Sequence, residues 1–277
     1  MKIAVLSDVH GNVPALEAVL ADLEQWRADE VIVNGDLVSR GPYSLQVLDM
    51  MRERVPDCRF LTGNHETFVL YCADHPADPE RRDFDLKRFA YWACDRLGSE
   101  AVEEIRGWAD HVDLADLDGG CSFHVTHGSR LGNRDGIHPG VDDGALAEKL
   151  GAPRGLFVGS HTHKPLLRRF NGTLVANTGS VGQPFDHDPR AAYGRFTFRA
   201  GRWQAQIARV AYDKAQAERD FHDSGFLDQG GPLVKLILLE LQQSRMHVGR
   251  WMAHYLPPVK AGEIRVADGV QDYLRRL

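Results

Sequence analysis

Cysteine is scarce and poorly spaced for chemistry. The four thiols, Cys58, Cys72, Cys94 and Cys121, lie 14, 22 and 27 positions apart, which gives neither a C-x-x-C pair nor a zinc-ribbon spacing. They read as reduced packing residues. Basic charge is not in excess either: Lys and Arg total 33 against 39 Asp and Glu, a formal charge of −6. No general field exists to attract a nucleic-acid backbone, and no stable nucleic-acid partner is expected. No apolar run approaches the ~18 residues of a membrane span. The opening MKIAVLSDVHGN turns polar too early for a secretory leader. The expectation is a cytoplasmic protein without membrane contact. A P-loop of the form G-x-x-x-x-G-K-S/T is missing, and His65-Glu66 fails as the start of an H-E-x-x-H zinc site because position 69 is Val.

What is present is the balance of a folded protein, with 43% hydrophobic and 26% charged residues, which sets disorder aside. At ~150 residues per domain the length allows two units or one large α/β domain. The first sixty residues repeat one theme. Lys2 to Ser7, Glu30 to Asn34 and Cys58 to Thr62 are short apolar runs, and each ends in a polar cluster: Asp8-Val9-His10-Gly11-Asn12, Gly35-Asp36 and Gly63-Asn64-His65-Glu66. Leu16, Val19, Leu20 and Leu23 between the first two, then Leu45, Leu48 and Met51, fall at helical spacing. This is a βαβαβ start with parallel strands, whose ligands bind beyond the carboxyl ends of the strands.

Residues 67–110 read as a helical cap insertion, in which Tyr91-Trp92 is either cap core or a platform for a nucleobase. Strand patterns return at 121–126, 156–158, 165–170, 173–176, 193–198 and 203–210, with Phe170-Asn171-Gly172-Thr173 as a two-residue hairpin turn. This second half is expected to be mainly antiparallel. The chain then divides into 1–212 and a helical extension, 213–277, with a break at Pro257-Pro258. The extension carries no chemical motif. Its helices either mediate homo-oligomerisation or cover a sheet.

Two more clusters complete the set, His127-Gly128 and His161-Thr162-His163. Residues i and i+2 of an extended segment project to one side, so His161 and His163 can face one point, as can Asp8 and His10. The candidate ligands are Asp8, His10, Asp36, Asn64, His127, His161 and His163. Carboxylate, carboxamide and imidazole suit Mn, Fe, Zn or Ni. Seven ligands exceed the needs of one such ion, and two divalent metal ions sharing a carboxylate are the economical arrangement. Such a pair polarises phosphoryl oxygens and generates hydroxide from water near neutral pH. The simpler alternatives are that Asp8, Asp36 and Asn64 are helix caps.

In order, Asp8-x-His10, Gly35-Asp36-x-x-x-Arg40-Gly41, Gly63-Asn64-His65-Glu66, His127-Gly128 and Gly159-x-His161-x-His163 resemble the motif set of the calcineurin-like metallophosphoesterases over roughly residues 1–200. The resemblance implies a four-layer α/β/β/α sandwich of two mixed sheets. It implies that Asp8, His10, Asp36 and His163 hold one metal, that Asp36, Asn64, His127 and His161 hold the other, and that Asp36 bridges. Manganese is the first choice of metal. It further implies that His65 assists departure of the leaving oxygen and that Arg40 grips phosphate; the alternative for Arg40 is an ion pair at the surface. Asn12 is a candidate contact for the scissile phosphate.

The stretch from Gly35 to Leu45 resembles bacterial diadenosine tetraphosphate hydrolases and the related serine/threonine protein phosphatases, whereas Asn177 to Pro184 resembles small phosphodiesterases of the same superfamily. One departure matters. Protein phosphatases of this superfamily carry Asp immediately before the Arg-Gly, and here Ser39 stands there. A serine cannot charge the histidine. The expectation is therefore a phosphoesterase that cleaves phosphodiester or phosphoanhydride bonds of a nucleotide-type substrate. The alternatives are a serine/threonine-type phosphomonoesterase and a non-catalytic scaffold on the same fold.

Overall fold

The computed structural model describes residues 1–117, 121–151 and 155–277. β1 (Lys2–Leu6), β2 (Glu30–Asn34) and β3 (Arg59–Leu61) run parallel, separated by α1 (Val13–Trp26) and α2 (Ser44–Arg54). α3 (Asn64–Asp74) and α4 (Phe84–Arg106) follow, then β4 (His111–Leu117) and β5 (Cys121–Thr126). After α5 (Asp143–Leu150) come β6 (Leu156–Gly159), β7 (Leu166–Phe170), β8 (Thr173–Asn177), β9 (Ala191–Arg199) and β10 (Arg202–Val210). The chain closes with α6 (Lys214–Asp223), α7 (Phe226–Gln229), α8 (Val234–Gln243), α9 (Val248–Ala261) and α10 (Val266–Arg275).

Two five-stranded sheets result, in the orders β10-β9-β1-β2-β3 and β4-β5-β6-β8-β7. Strand alternation builds the layers. Ile3, Val5 and Ile32 point between the sheets and meet Phe123, Val125, Leu156 and Val158. Their neighbours Ala4, Leu6 and Val33 point the other way, onto Leu16, Leu20, Leu48 and Met51 of the helices. On the far side Phe157 and Val175 meet Leu146 and Leu150 of α5. This is an α/β/β/α sandwich.

The strand-rich second half is divided between the sheets. β9 and β10 return to the first sheet, with β9 antiparallel to β1, while β6 lies parallel to both β5 and β8. The second sheet is thus evenly mixed, not mainly antiparallel. The hairpin at 170–173 forms as its sequence predicts, Asn171 and Gly172 both taking positive φ, 45° and 81°. The expected break at Pro257-Pro258 does not occur, since both prolines lie inside α9. No helix among the described residues is long and apolar enough to cross a membrane.

The C-terminal helices cover neither sheet. Phe221, Leu236, Ile237, Leu241, Trp251 and Tyr255 form a separate core with Cys72, Phe89 and Trp92 of α3 and α4. Trp92 is 6% exposed, with Phe226 at 5.6 Å between ring centroids, so it belongs to this core and offers no platform to a base. Most apolar side chains of the extension are buried in this core, while Met252, Leu274 and Leu277 remain exposed. Each large side chain so buried is worth roughly 1.5–3 kcal/mol. A chain cut after residue 212 should therefore expose Phe89 and Trp92 and lose its soluble monomer peak in size-exclusion chromatography. A soluble 1–212 fragment melting at the full-length temperature would contradict this packing.

Candidate metal centre

The loops leaving β1 and β2 are laced together before they deliver any side chain. Asp8 N–H donates to the Gly35 carbonyl, His10 N–H to that of Asp36 and Gly11 N–H to that of Leu37, each at 3.1 Å. The loops pay for this in backbone strain. Asp8, His10, Asp36, His161 and His163, five of the seven candidate ligands, have φ between 51° and 63°. Non-glycine residues seldom adopt that region, and clusters of such residues mark functional sites.

Asp36 is the best-determined side chain. Its Oδ1 accepts the His65 N–H at 2.8 Å, at the positive end of α3. Gly63 makes this approach possible, because a Cβ there would lie 2.2 Å from the same oxygen. The other oxygen, Oδ2, stands 3.8 Å from His10 Nε2 and 3.4 Å from His127 Nε2. One oxygen thus lies between two groups of imidazoles. Beneath it, Glu66 accepts N–H bonds from Asp36, Val38 and Gly63 at 2.7, 3.2 and 2.8 Å and so ties the end of β2 to the start of α3. Burial, with the nearby Asp36 charge, pushes the Glu66 carboxyl up to about 7 against the pull of those donors.

Around Asp36 the donors fall into groups whose ligand atoms lie within 4.8 Å of one another: Asp8, His10 and His163; Asp36, His127 and His161; and His10, Asp36 and His65. Asn64 Oδ1 is 3.2 Å from His127 Nε2. His163 Nδ1 lies 2.6 Å from the Gln183 carbonyl and His127 Nδ1 2.8 Å from that of Asn34. Each Nδ1 then carries the hydrogen, and in the neutral ring Nε2 has only a lone pair to present. Yet His163 Nε2 is 3.0 Å from Asp8 Oδ1 and 3.3 Å from His10 Nε2. Asp8 Oδ1 and His10 Nδ1 are buried without a hydrogen-bond partner among the described residues. Lone pairs facing one another at such distances call for a cation between them. The residues present fit a metal.

The electrostatics agree. Burial lowers His10 well below the ordinary imidazole value, takes His65 down to about 3 and His161 to about 4, so all three stay neutral donors. At His127 burial pulls the same way, but the Asp36 carboxylate outweighs it and pushes the ring up to about 10. Desolvation would raise Asp36 in turn, yet His127 and His65 hold it below the usual carboxylate range. Positive charge is stabilised at this carboxylate.

The helix-cap alternatives fail, since α1 is capped by Asn12, α2 begins after Tyr43 and α3 after Gly63. Asn12 thus has a structural role of its own. Its Oδ1 accepts the Ala15 N–H and its Nδ2 donates to the Gly182 carbonyl at 2.9 Å, so the cap and the loop after β8 both hold this side chain. Arg40 does line the cleft, with Asp36, Asn64, His65, His161 and His163. It is paired, but not at the surface. Its Nε donates to Gln183 Oε1 at 3.1 Å and its Nη2 to Glu240 Oε2 of α8.

Glu240 is the residue that sequence reasoning missed. It is fully buried, and its Oε1 also accepts the His247 and Val248 N–H groups at 2.7 Å each. The only sequence signal is an acidic residue inside the apolar run from Leu233 to Leu241. Replacing Glu240 with Ala should cost about 3–5 kcal/mol, because the Arg40 charge is left buried and unpaired. Glu240→Gln keeps an acceptor for the turn and should cost less. Urea denaturation of both variants checks this, and an equal or negligible loss in the two would contradict it.

A family model for calcineurin-like phosphoesterases matches residues 1–192. A symmetrical bis(5'-nucleosyl)-tetraphosphatase of Pectobacterium atrosepticum is 39% identical over 130 residues, 46% of this chain and 43% of its own length. The match to such tetraphosphatases therefore spans less than half of them. An uncharacterized protein of Methanocaldococcus jannaschii is 26% identical over 238 residues, 78% of this chain and 89% of that one. The crystal structure of a metallophosphoesterase from Sphaerobacter thermophilus, 25% identical, aligns with a TM-score of 0.69 over 88% of this chain and 100% of its own. With the family model covering β1 to β8 and every strand-end loop described above, the chain belongs to the calcineurin-like phosphoesterases.

Proposed function

We propose that the protein is a dinuclear-metal phosphoesterase that hydrolyses phosphodiester or phosphoanhydride bonds of a nucleotide-type substrate. The observation that carries this is the position of Asp36 Oδ2 between His10 and His127, which suits a carboxylate shared by two cations. Asp8, His10, Asp36 and His163 would hold one ion, and Asp36, Asn64, His127 and His161 the other. Two such ions, with manganese the first to try and iron, zinc or nickel suited to the same donors, would supply a Lewis acid for the phosphoryl oxygens and lower the pKa of water.

The chain's own residues support this substrate class. Arg40, with Nε and Nη2 held by Gln183 and Glu240, presents a fixed cationic edge to phosphate oxygens. His65, kept neutral by burial, offers an N–H hydrogen bond rather than the proton of an imidazolium. Its Nδ1 and the hydroxyl of Ser39 are both buried without a partner among the described residues. No carboxylate stands at position 39 to charge the ring. Weak acid assistance favours bonds whose leaving group departs readily, such as phosphoanhydrides and aryl or nucleotide diesters. The tetraphosphatase relatives, by name enzymes of bis(5'-nucleosyl) tetraphosphates, point to the same class.

Purified protein with Mn²⁺ should hydrolyse bis(p-nitrophenyl) phosphate and diadenosine tetraphosphate faster than a phosphoserine peptide. Asp36→Asn should lower turnover by about 10³-fold or more, on the scale of a lost electrostatic or metal contribution, and bound metal should fall from two ions per chain. Unchanged turnover and metal content in that variant would remove the assignment. Ser39→Asp should raise kcat on phosphomonoesters with poor leaving groups by at least about tenfold, within the range of general acid catalysis. The local φ of 66° is one that Asp adopts readily. A pH–rate comparison of the two forms checks the assignment, and a variant that folds but leaves the ratio of poor to good leaving groups unmoved would contradict it.

A further inference from the structure

The cleft above the metal-binding residues has a volume of ≈ 600 Å³, within the range of small-molecule sites. One of its walls comes from outside the matched segment: Met246, Val248, Gly249 and Met252, at the turn into α9 and along its first turns. We infer that this wall is a subsite for a flat aromatic group on the substrate, a nucleobase or an aryl ring carried by the phosphate. The inference rests on the phosphoesterase reading for what occupies the floor.

The surface chemistry supports this choice of occupant. A Cβ on Gly249 would lie 2.4 Å from the Met246 sulfur, so the glycine lets the thioether lie across the start of the helix. Met252 is 42% exposed, unusual for a large apolar side chain in this protein. Phe185 lines the same cleft, stacked on His163 with centroids 4.3 Å apart and planes at 14°. Thioethers and an aromatic ring beside a phosphate site favour a polarizable ring.

The wall is also held in place before any ligand arrives. Glu240 accepts the His247 and Val248 N–H groups while binding Arg40, and the Ser244 carbonyl accepts the His187 N–H at 3.0 Å. The first anchor fixes the wall to the residue proposed to hold phosphate, the second to the loop that follows Phe185. Ring and phosphorus sites are thus kept in register, which lowers the ordering cost of binding.

The test uses full-length protein labelled with ¹³C at methionine methyls and loaded with diamagnetic Zn²⁺. The five methionines include Met50 and Met51 as internal controls. Phenylphosphonate and the phosphonate analogue of AMP should each produce ring-current shifts at Met246 and Met252 only, and methylphosphonate none. Shifts with one of the two ring ligands alone would support the subsite and identify its source as aryl or nucleobase. No shift at either methionine with any ring ligand, or equal shifts with methylphosphonate, would overturn the inference. Met252→Ser should raise KM for bis(p-nitrophenyl) phosphate about three- to tenfold at unchanged kcat, the scale of a lost thioether–ring contact, and leave tripolyphosphate kinetics unmoved. Parallel losses on both substrates would also overturn it. Ring-current shifts in a protein with no hydrolase activity would sink the phosphoesterase reading and leave the subsite standing, whereas hydrolysis without shifts would do the reverse.

Discussion

One carboxylate organises the site. Asp36 has each oxygen committed in a different direction, Oδ1 to the first turn of α3 and Oδ2 to the imidazoles of His10 and His127. That division holds only because Glu66 gathers the N–H groups of Asp36, Val38 and Gly63 around a single buried side chain. Removing the charge of Glu66 would loosen two strand-end loops and a helix start at once. The seven candidate ligands come from loops far apart in sequence, and the Asp36–Glu66 pair is where the first three of those loops meet.

The backbone carries the corresponding cost. A non-glycine residue in the left-handed region gives up roughly 1–3 kcal/mol in sparsely populated geometry, and Asp8, His10, Asp36, Ser39, Arg40, His161 and His163 all adopt it. The crossed hydrogen bonds between the loops after β1 and β2 over-determine that conformation, and the sandwich core behind them is almost free of exposure. Rigidity beneath the site is the return on this strain. Side chains that cannot relax keep lone pairs pointed at one another, which favours whatever cation enters.

Much of this was legible in the sequence, for a physical reason. Short apolar runs that stop at Asp8, Asp36 and Asn64 announce strand ends, and strand ends in a parallel sheet converge. The i, i+2 spacing of His161 and His163 pointed both rings at one place only on the assumption of extended backbone; both residues are left-handed instead, and His163 joins Asp8 and His10 while His161 joins Asp36 and His127. β4 was not legible, because His111 to Leu117 carries two aspartates that blur its alternation, and it fell between the cap at 67–110 and the strand at 121–126 without being assigned. At Asn12 the cap was not foreseen, because a cap and a phosphate contact draw on the same amide. The roles of Glu240 and the Met246–Met252 wall were not legible for another reason: one pairs with Arg40, the other shares a cleft with Phe185, and no local pattern encodes a neighbour that distant.

The Arg40–Glu240 pair spans 200 residues of chain. At synthesis rates of ~5–20 residues per second, that interval corresponds to about 10–40 s on the ribosome. The last candidate ligand, His163, precedes Glu240 by 77 positions (240 − 163), so only over the final part of that interval, about 4–15 s, is the ligand set complete while the guanidinium lacks its acceptor from α8. Completion of the Arg40 edge therefore trails completion of the candidate ligand set.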